Sequence, residues 1–178
     1  MIKGHVFIAT SLDGFIARES GDIGWLLARD DPDEDHGYDD FIGKIDVIVM
    51  GRGSFDAIRH MQPWPYGLPV VVMSASLDPD PTATDLLPNV TISPLFPADL
   101  MASLQAQGYL HAYVDGGQII QSFLRAGLIE DMIITSVPVL LGQGRRLFGP
   151  LEADIALIHE ETRSFGSGLV QSRYRIRT

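Results

Sequence analysis

The chain has 178 residues, 46% hydrophobic and 20% charged, the proportions of a folded domain in water and not of a disordered or membrane-spanning chain. Thirteen Lys and Arg against 23 Asp and Glu give a net charge of −10, which argues against a sequence-independent grip on nucleic acid or an anionic membrane surface. The absence of cysteine excludes disulfides, zinc–thiolate centres, iron–sulfur clusters and cysteine nucleophiles, and suits the cytoplasm.

The length fits a single domain over 1–178. The apolar opening at 1–9 meets Thr10 and Ser11 before reaching the length of a signal-peptide core, and no later stretch approaches the ~20 apolar residues of a membrane span. In chain order, short apolar runs predict strands over 4–9, 46–50, 69–74, 89–93, 110–114 and 132–137. Amphipathic segments between them predict helices over 37–45, 54–59, 98–107 and 118–126. In the last helix Ile119, Ile120, Phe123 and Leu124 share one face, and Gly127 is a natural stop. The alternation predicts an α/β fold with a largely parallel sheet. Residues 153–163 and 169–177 read as two strands joined across 165–168, so the sheet should be mixed, and the proline-containing stretch 77–88 reads as a loop.

Three segments carry chemistry. Strand 46–50 runs into Gly51-Arg52-Gly53-Ser54: the glycines admit a close ligand, a helix start offers free N–H groups to an anion, and Arg52 adds a fork suited to phosphate. The alternative is a tight turn with Ser54 as N-cap and Arg52 in solvent. The second strand–glycine–helix junction, Val114-Asp115-Gly116-Gly117-Gln118, suits a pyrophosphate on amides alone. A parallel sheet would bring both junctions to one rim, and a ligand with a pyrophosphate and a separate phosphomonoester, such as NADP, would use both. Neither segment carries the dinucleotide fingerprint or the P-loop. The third segment, Ala9 to Ala17, turns at Asp13-Gly14, where a loop would cover a nicotinamide or position a substrate.

Residues 29–40 hold seven acidic residues and one basic, contributing −6 of the net charge. Asp31, Asp33 and Asp35 have calcium-loop spacing, but Gly37 arrives one place late and Ile42 stands where the loop needs Glu. The run reads as a solvated loop before a helix, with exclusion of anionic substrates from a bordering cleft as its functional version. His5, His36, His60, His111 and His159 show no ligand spacing, and no residue is assigned to a metal. Gly142-Gln143-Gly144-Arg145-Arg146 reads either as part of a substrate pocket or as an exposed basic turn.

The ordered set Ser11-Leu12-Asp13-Gly14-Phe15-Ile16-Ala17, then Gly21-x-Ile23-x-Trp25-Leu26, Met50-Gly51-Arg52-x-Ser54, Val114-Asp115-Gly116-Gly117 and Pro138-Val139-Leu140-Leu141-Gly142-x-Gly144 spans nearly the whole chain. It resembles the dihydrofolate-reductase-like superfamily, and within it the stand-alone relatives of the reductase domain of the bifunctional riboflavin-biosynthesis deaminase/reductase. The resemblance implies a three-layer fold, with a mixed, mostly parallel sheet between helices, and NADPH as cofactor. It also implies a homodimer and a small heterocyclic or imine-like substrate, as in 5-amino-6-(5-phosphoribosylamino)uracil reduction. Dihydrofolate reduction and non-catalytic NADP binding are the alternatives.

By the same resemblance Gly51, Arg52, Gly53 and Ser54 hold the adenosine-side phosphates and Ser74 lies by the adenosine. Val114, Gly116, Gly117, Gln118 and Ile119 take the pyrophosphate, and Ala9 and Gly14 edge the nicotinamide. Asp13, Trp25 and Leu141 border the substrate, and Asp13 is the catalytic candidate, with the proton delivered by water or by an acid of the Asp13 loop or the acidic segment. The interval where dihydrofolate reductases carry the pterin carboxylate holds Trp25 and the acidic run. Lys44 stands just ahead of the second strand, where riboflavin reductases carry a basic residue beside a ribose phosphate.

Overall fold

Strand order is fixed by which apolar runs are buried on both sides. The computed structural model describes residues 1–29, 31–75, 87 and 89–177, so the expected loop at 77–88 lies outside the described residues except for Leu87. Its main strands are β1 (Lys3–Ser11), β3 (Val47–Gly51), β4 (Val70–Met73), β5 (Val90–Ser93), β6 (His111–Asp115), β7 (Ile129–Val137), β9 (Leu157–Ser164) and β10 (Val170–Ile176). They form one eight-stranded sheet in the order β5-β4-β3-β6-β1-β7-β10-β9. The pairings from β5 through β7 are parallel, and those of β10 with β7 and β9 are antiparallel, as the terminal hairpin requires. This is the mixed, mostly parallel α/β fold expected.

The helices are α1 (Gly24–Leu27), α2 (Tyr38–Ile42), α3 (Arg52–Ile58), α4 (Pro97–Ala106) and α5 (Gly117–Arg125). Alternation along the strands assigns them to two faces. Val47, Val49, Ala112 and Val114 point to a core shared with Leu100, Met101 and Leu104 of α4 and Ile120, Phe123 and Leu124 of α5. Ile48, Met50, Val70, Val72 and Tyr113 point to the opposite core, closed by Phe41 of α2 and Phe55 of α3. Three layers result.

Three local features differ from the sequence reading. Helix α2 is half the expected 37–45, because Gly37 enters it at φ +76° and a second glycine, Gly43, caps it after five residues. Ser54 is not an N-cap: Gly51 occupies that position and Ser54 lies inside the first turn of α3. A small antiparallel pair, β2 (Phe15–Ala17) with β8 (Arg145–Arg146), adds a second sheet that two- and three-residue runs do not announce.

Phe123, in the last turn of α5, is completely buried. Phe123→Ala is expected to cost about 3–5 kcal/mol of unfolding free energy, read from the shift in urea midpoint at unchanged slope.

Candidate active site

In a parallel sheet every strand ends on the same rim. Register pairs Met50 with Asp115 across β3 and β6, so the junctions Gly51–Ser54 and Gly116–Ile119 emerge side by side. They touch: a Cβ on Gly116 would stand 2.7 Å from Ser54 Oγ, and one on Gly51 would stand 2.9 Å from Ile119 Cγ1. Gly116 also sits at φ +91°, so the close approach and the backbone conformation both demand glycine here. Neither α3 nor α5 has a side-chain cap, which leaves their first-turn N–H groups directed at the rim. Arg52 is exposed and pairs with Asp56 at 3.2 Å, and the Arg145 guanidinium approaches within 3.3 Å of a Cβ built on Gly53.

The loop after β1 is stitched over this rim. Asp13 accepts hydrogen bonds from Ser11 Oγ at 2.6 Å, from Leu141 N–H at 3.1 Å and from Gly142 N–H at 2.7 Å. Leu12 N–H donates to Val139 O and Leu147 N–H to Gly14 O, so 11–15 and 139–147 move as one unit. The second of these strips lies against α5, where Gln121 Nε2 donates to the Arg146 and Leu147 carbonyls.

Residues 3–171 match the family described as the RibD C-terminal domain. The chain belongs to that family. It is 31% identical over 175 residues to the uncharacterized protein YwjB of Bacillus subtilis (strain 168), covering 97% of each chain. A crystal structure of a putative riboflavin biosynthesis protein from Shewanella sp. PV-4 superposes with a TM-score of 0.91 at 35% identity, over 99% of this chain and 100% of that one. A dihydrofolate reductase from Enterococcus faecalis shares the fold alone, with a TM-score of 0.66 at 15% identity over 99% of this chain and 97% of that one.

In this RibD C-terminal domain the structure sorts the residues expected at the site. Ala9, Gly14, Gly51, Arg52, Gly53, Ser54, Ser74, Gly116, Gly117, Gln118 and Ile119 all lie at or just beyond the strand ends that form the rim. Val114 does not reach it: the side chain is wholly buried in the core beneath α5, because alternation turns it away from the site face. Asp13 is not built as an acid. Its hydrogen bond from Ser11, helped by those from Leu141 and Gly142 and opposed by partial burial, holds the carboxyl down at about 2. It is an ionised clamp for the loop, and Leu141 serves that clamp through its backbone. Trp25 lies on α1, and its Nε1 is buried with no hydrogen-bond partner among the described residues.

The carboxylate the sequence reading left without a role is Asp115, the last residue of β6. Burial pushes its carboxyl above the ordinary value, against hydrogen bonds from the Ser54 hydroxyl, Gly116 N–H and Tyr113. One phenol stands beside it, and its charge is felt by two more. Tyr113 Oη lies 3.4 Å from Asp115 Oδ1 while donating to the Phe7 carbonyl at 2.9 Å. Burial and then the Asp115 charge raise the pKa of Tyr38, Tyr66 and Tyr113 alike. An acidic side chain ending an otherwise apolar buried strand, immediately before a glycine pair, is the sequence signal for it.

The acidic run is anchored. Glu34 accepts from Ser167 N–H at 2.7 Å and Ser167 Oγ at 2.5 Å, and His36 stands 3.3 Å from it, so Glu34 is held below the usual carboxylate range, chiefly by the Ser167 hydroxyl. Gln171 Nε2 donates to the His36 carbonyl and to Thr135 Oγ1. Lys44 is placed before β3 begins, at the opposite edge of the sheet from Gly51, so it does not join the rim.

Asp13 titrates well below its unfolded value of 3.8, so its clamp contributes fully above that pH and is lost as the pH falls through about 2. Asp13→Asn is expected to lower the melting temperature at neutral pH, with the gap to the parent closing on acidification toward that value. A gap that is constant with pH in thermal melts would refute the clamp.

Proposed function

We propose that this RibD C-terminal domain is an NADPH-dependent reductase of a small pyrimidine- or pterin-like heterocycle or imine. The observation that carries the reading is the contact between two uncapped, glycine-started helices at the ends of adjacent parallel strands, with half-buried Asp115 beside them. Such helix starts suit the phosphates of a dinucleotide. The Enterococcus reductase of the same fold is complexed with NADP(H). Homodimerisation, which the family resemblance implies, belongs to the same proposal.

The residues fit that coenzyme. Helix α5 offers the N–H groups of Gly117, Gln118 and Ile119 to a pyrophosphate, and Gly117 has no side chain in the way. Arg52, on the first turn of α3, supplies the charge that distinguishes a 2′-phosphate from a hydroxyl. When bound, reduced nicotinamide supplies a hydride. The protein's part is to hold the acceptor and manage one proton.

Asp115 is the group for the second task. It is half-buried, its pKa is raised by desolvation, and it lies beside the Tyr113 phenol on the face that α2 and α3 cover. A protonated Asp115 donates a hydrogen bond to a ring nitrogen or carbonyl of the acceptor, and the tyrosines close the pocket against water. Phe7 and Tyr38, packed edge to face with ring centroids 5.5 Å apart, supply aromatic surface for a heterocycle.

The test is consumption of NADPH, followed by loss of its near-ultraviolet absorbance, across a panel of oxidised pyrimidines, pterins including dihydrofolate, and cyclic imines. No turnover with any acceptor, despite coenzyme binding, favours the non-catalytic alternative. Arg52→Ala is expected to weaken NADPH much more than NADH in a binding titration, and equal losses remove Arg52 from the 2′-phosphate. Asp115→Asn is expected to lower kcat by about 10²–10⁴-fold while coenzyme affinity holds. In the parent, kcat falls as pH rises through the elevated pKa of Asp115; the Asn variant loses that limb of the profile.

A further inference from the structure

The site face carries a second polar cluster that the proposed reductase chemistry leaves unused. At the amino-terminal ends of β1, β6 and β7, beneath α2, lies a cavity of about 330 Å³. Asp115 at the rim lies four steps along β6 from His111 in this cavity, about 13 Å at the rise of a strand. The rings of Phe7, Phe41 and Tyr113, with Phe41 centroids 5.1 Å from both of the others, stand between the two.

Parallel register brings together side chains more than a hundred residues apart. His5 Nδ1 lies 3.2 Å from Asp131 Oδ2, and His5 Nε2 lies 3.0 Å from His111 Nδ1. Asp131 also meets Arg173 at 3.6 Å. Burial pushes the Asp131 carboxyl up, but His5 and Arg173 together hold it below its ordinary value, so it is ionised and His5 Nδ1 must carry the proton between them. Neutral His5 then accepts from His111 Nδ1–H, which leaves His111 Nε2 as a bare acceptor with no protein partner among the described residues. One added proton reverses the relay and makes His111 Nε2 a donor.

Most of the other charges around the cavity are already neutralised. Arg163 pairs with Glu161 at 3.5 Å and Arg173 with Glu160 at 3.3 Å. Asp46 accepts the N–H groups of Leu110 and His111. His36 is held by Glu34. Asp40 is an exposed residue of α2, and Lys44 lines the cavity with no ion pair among the described residues. Phe41, Ile45 and Ile133 supply the apolar wall.

We propose that this cavity is a second ligand site that takes an amphipathic anion, its apolar body against Phe41, Ile45 and Ile133 and its charged head at Lys44 and His111. Uptake of one proton by the His5–His111 pair accompanies binding. The site is separate from the glycine-lined rim and does not depend on the reductase reading.

The probe is anilinonaphthalene sulfonate, an aromatic anion whose sulfonate stays ionised throughout, titrated by fluorescence into the full chain without coenzyme. Neutral N-phenylnaphthylamine is the uncharged control. One sulfonate molecule should bind per chain, more tightly as the pH is lowered, as uptake of a proton on binding requires. Lys44→Gln, at an exposed position, should weaken the sulfonate about tenfold, a loss of ~1.4 kcal/mol, and leave the neutral probe unchanged. His111→Gln should abolish the pH dependence, with melting curves showing that both variants fold, and Arg52→Ala, whose effect belongs to the rim, should leave sulfonate affinity as in the parent. Equal sulfonate affinity in the parent, Lys44→Gln and His111→Gln overturns the proposal, as does loss of binding in Arg52→Ala. If Lys44→Gln instead alters the sedimentation of the protein with no change in sulfonate affinity, the cavity is a contact between copies of the chain and the proposal fails.

Discussion

The pairing of β3 with β6 is the constraint on which the rest of the molecule depends. Because the two strands run parallel and in the register Val47 to Ala112 through Met50 to Asp115, two glycine junctions far apart in sequence end in van der Waals contact. Had the strands been antiparallel, Gly51 and Gly116 would lie at opposite edges and no dinucleotide could reach both. Burial enforces the arrangement. Every side chain from Val47 to Met50 is fully covered, so the strand needs an apolar layer on each face, and crossover helices provide it.

That same parallel order divides the sheet's α2 face into two ends with different chemistry. At the carboxyl-terminal end the strands give way to glycines and helix starts, and the Asp115 carboxyl lies beside the Tyr113 phenol. At the amino-terminal end imidazoles, a carboxylate and a guanidinium form a hydrogen-bonded chain. Aromatic rings from β1, α2 and β6 separate the two. The shortness of α2 is what leaves room for the second cavity, since its two flanking glycines end the helix after little more than a turn.

Much of this was legible in the sequence. Buried strands read as unbroken apolar runs, the hairpin announced itself by its turn at 165–168, and Gly127 marked the end of α5 with the left-handed backbone expected of it. What was not legible depends on register. His5, His111 and Asp131 are unremarkable where they stand in the chain and become a cluster only through the β1–β6 and β1–β7 pairings. Asp13 was taken for an acid because an Asp-Gly turn near a ligand invites that reading; its hydrogen bonds to Leu141 and Gly142 come from the other end of the molecule. Val114 was placed at the cofactor by position in a motif, whereas alternation along β6 directs it into the opposite core.

The bond between Glu34 and Ser167 joins the loop ahead of α2 to the tip of the β9–β10 hairpin across 133 positions of sequence. A ribosome therefore releases the parallel strands and the glycine rim well before the residue that steadies the segment leading into Tyr38. During synthesis the nascent chain would first complete the rim where β3 and β6 end, and only afterwards pin the wall that leads into Tyr38.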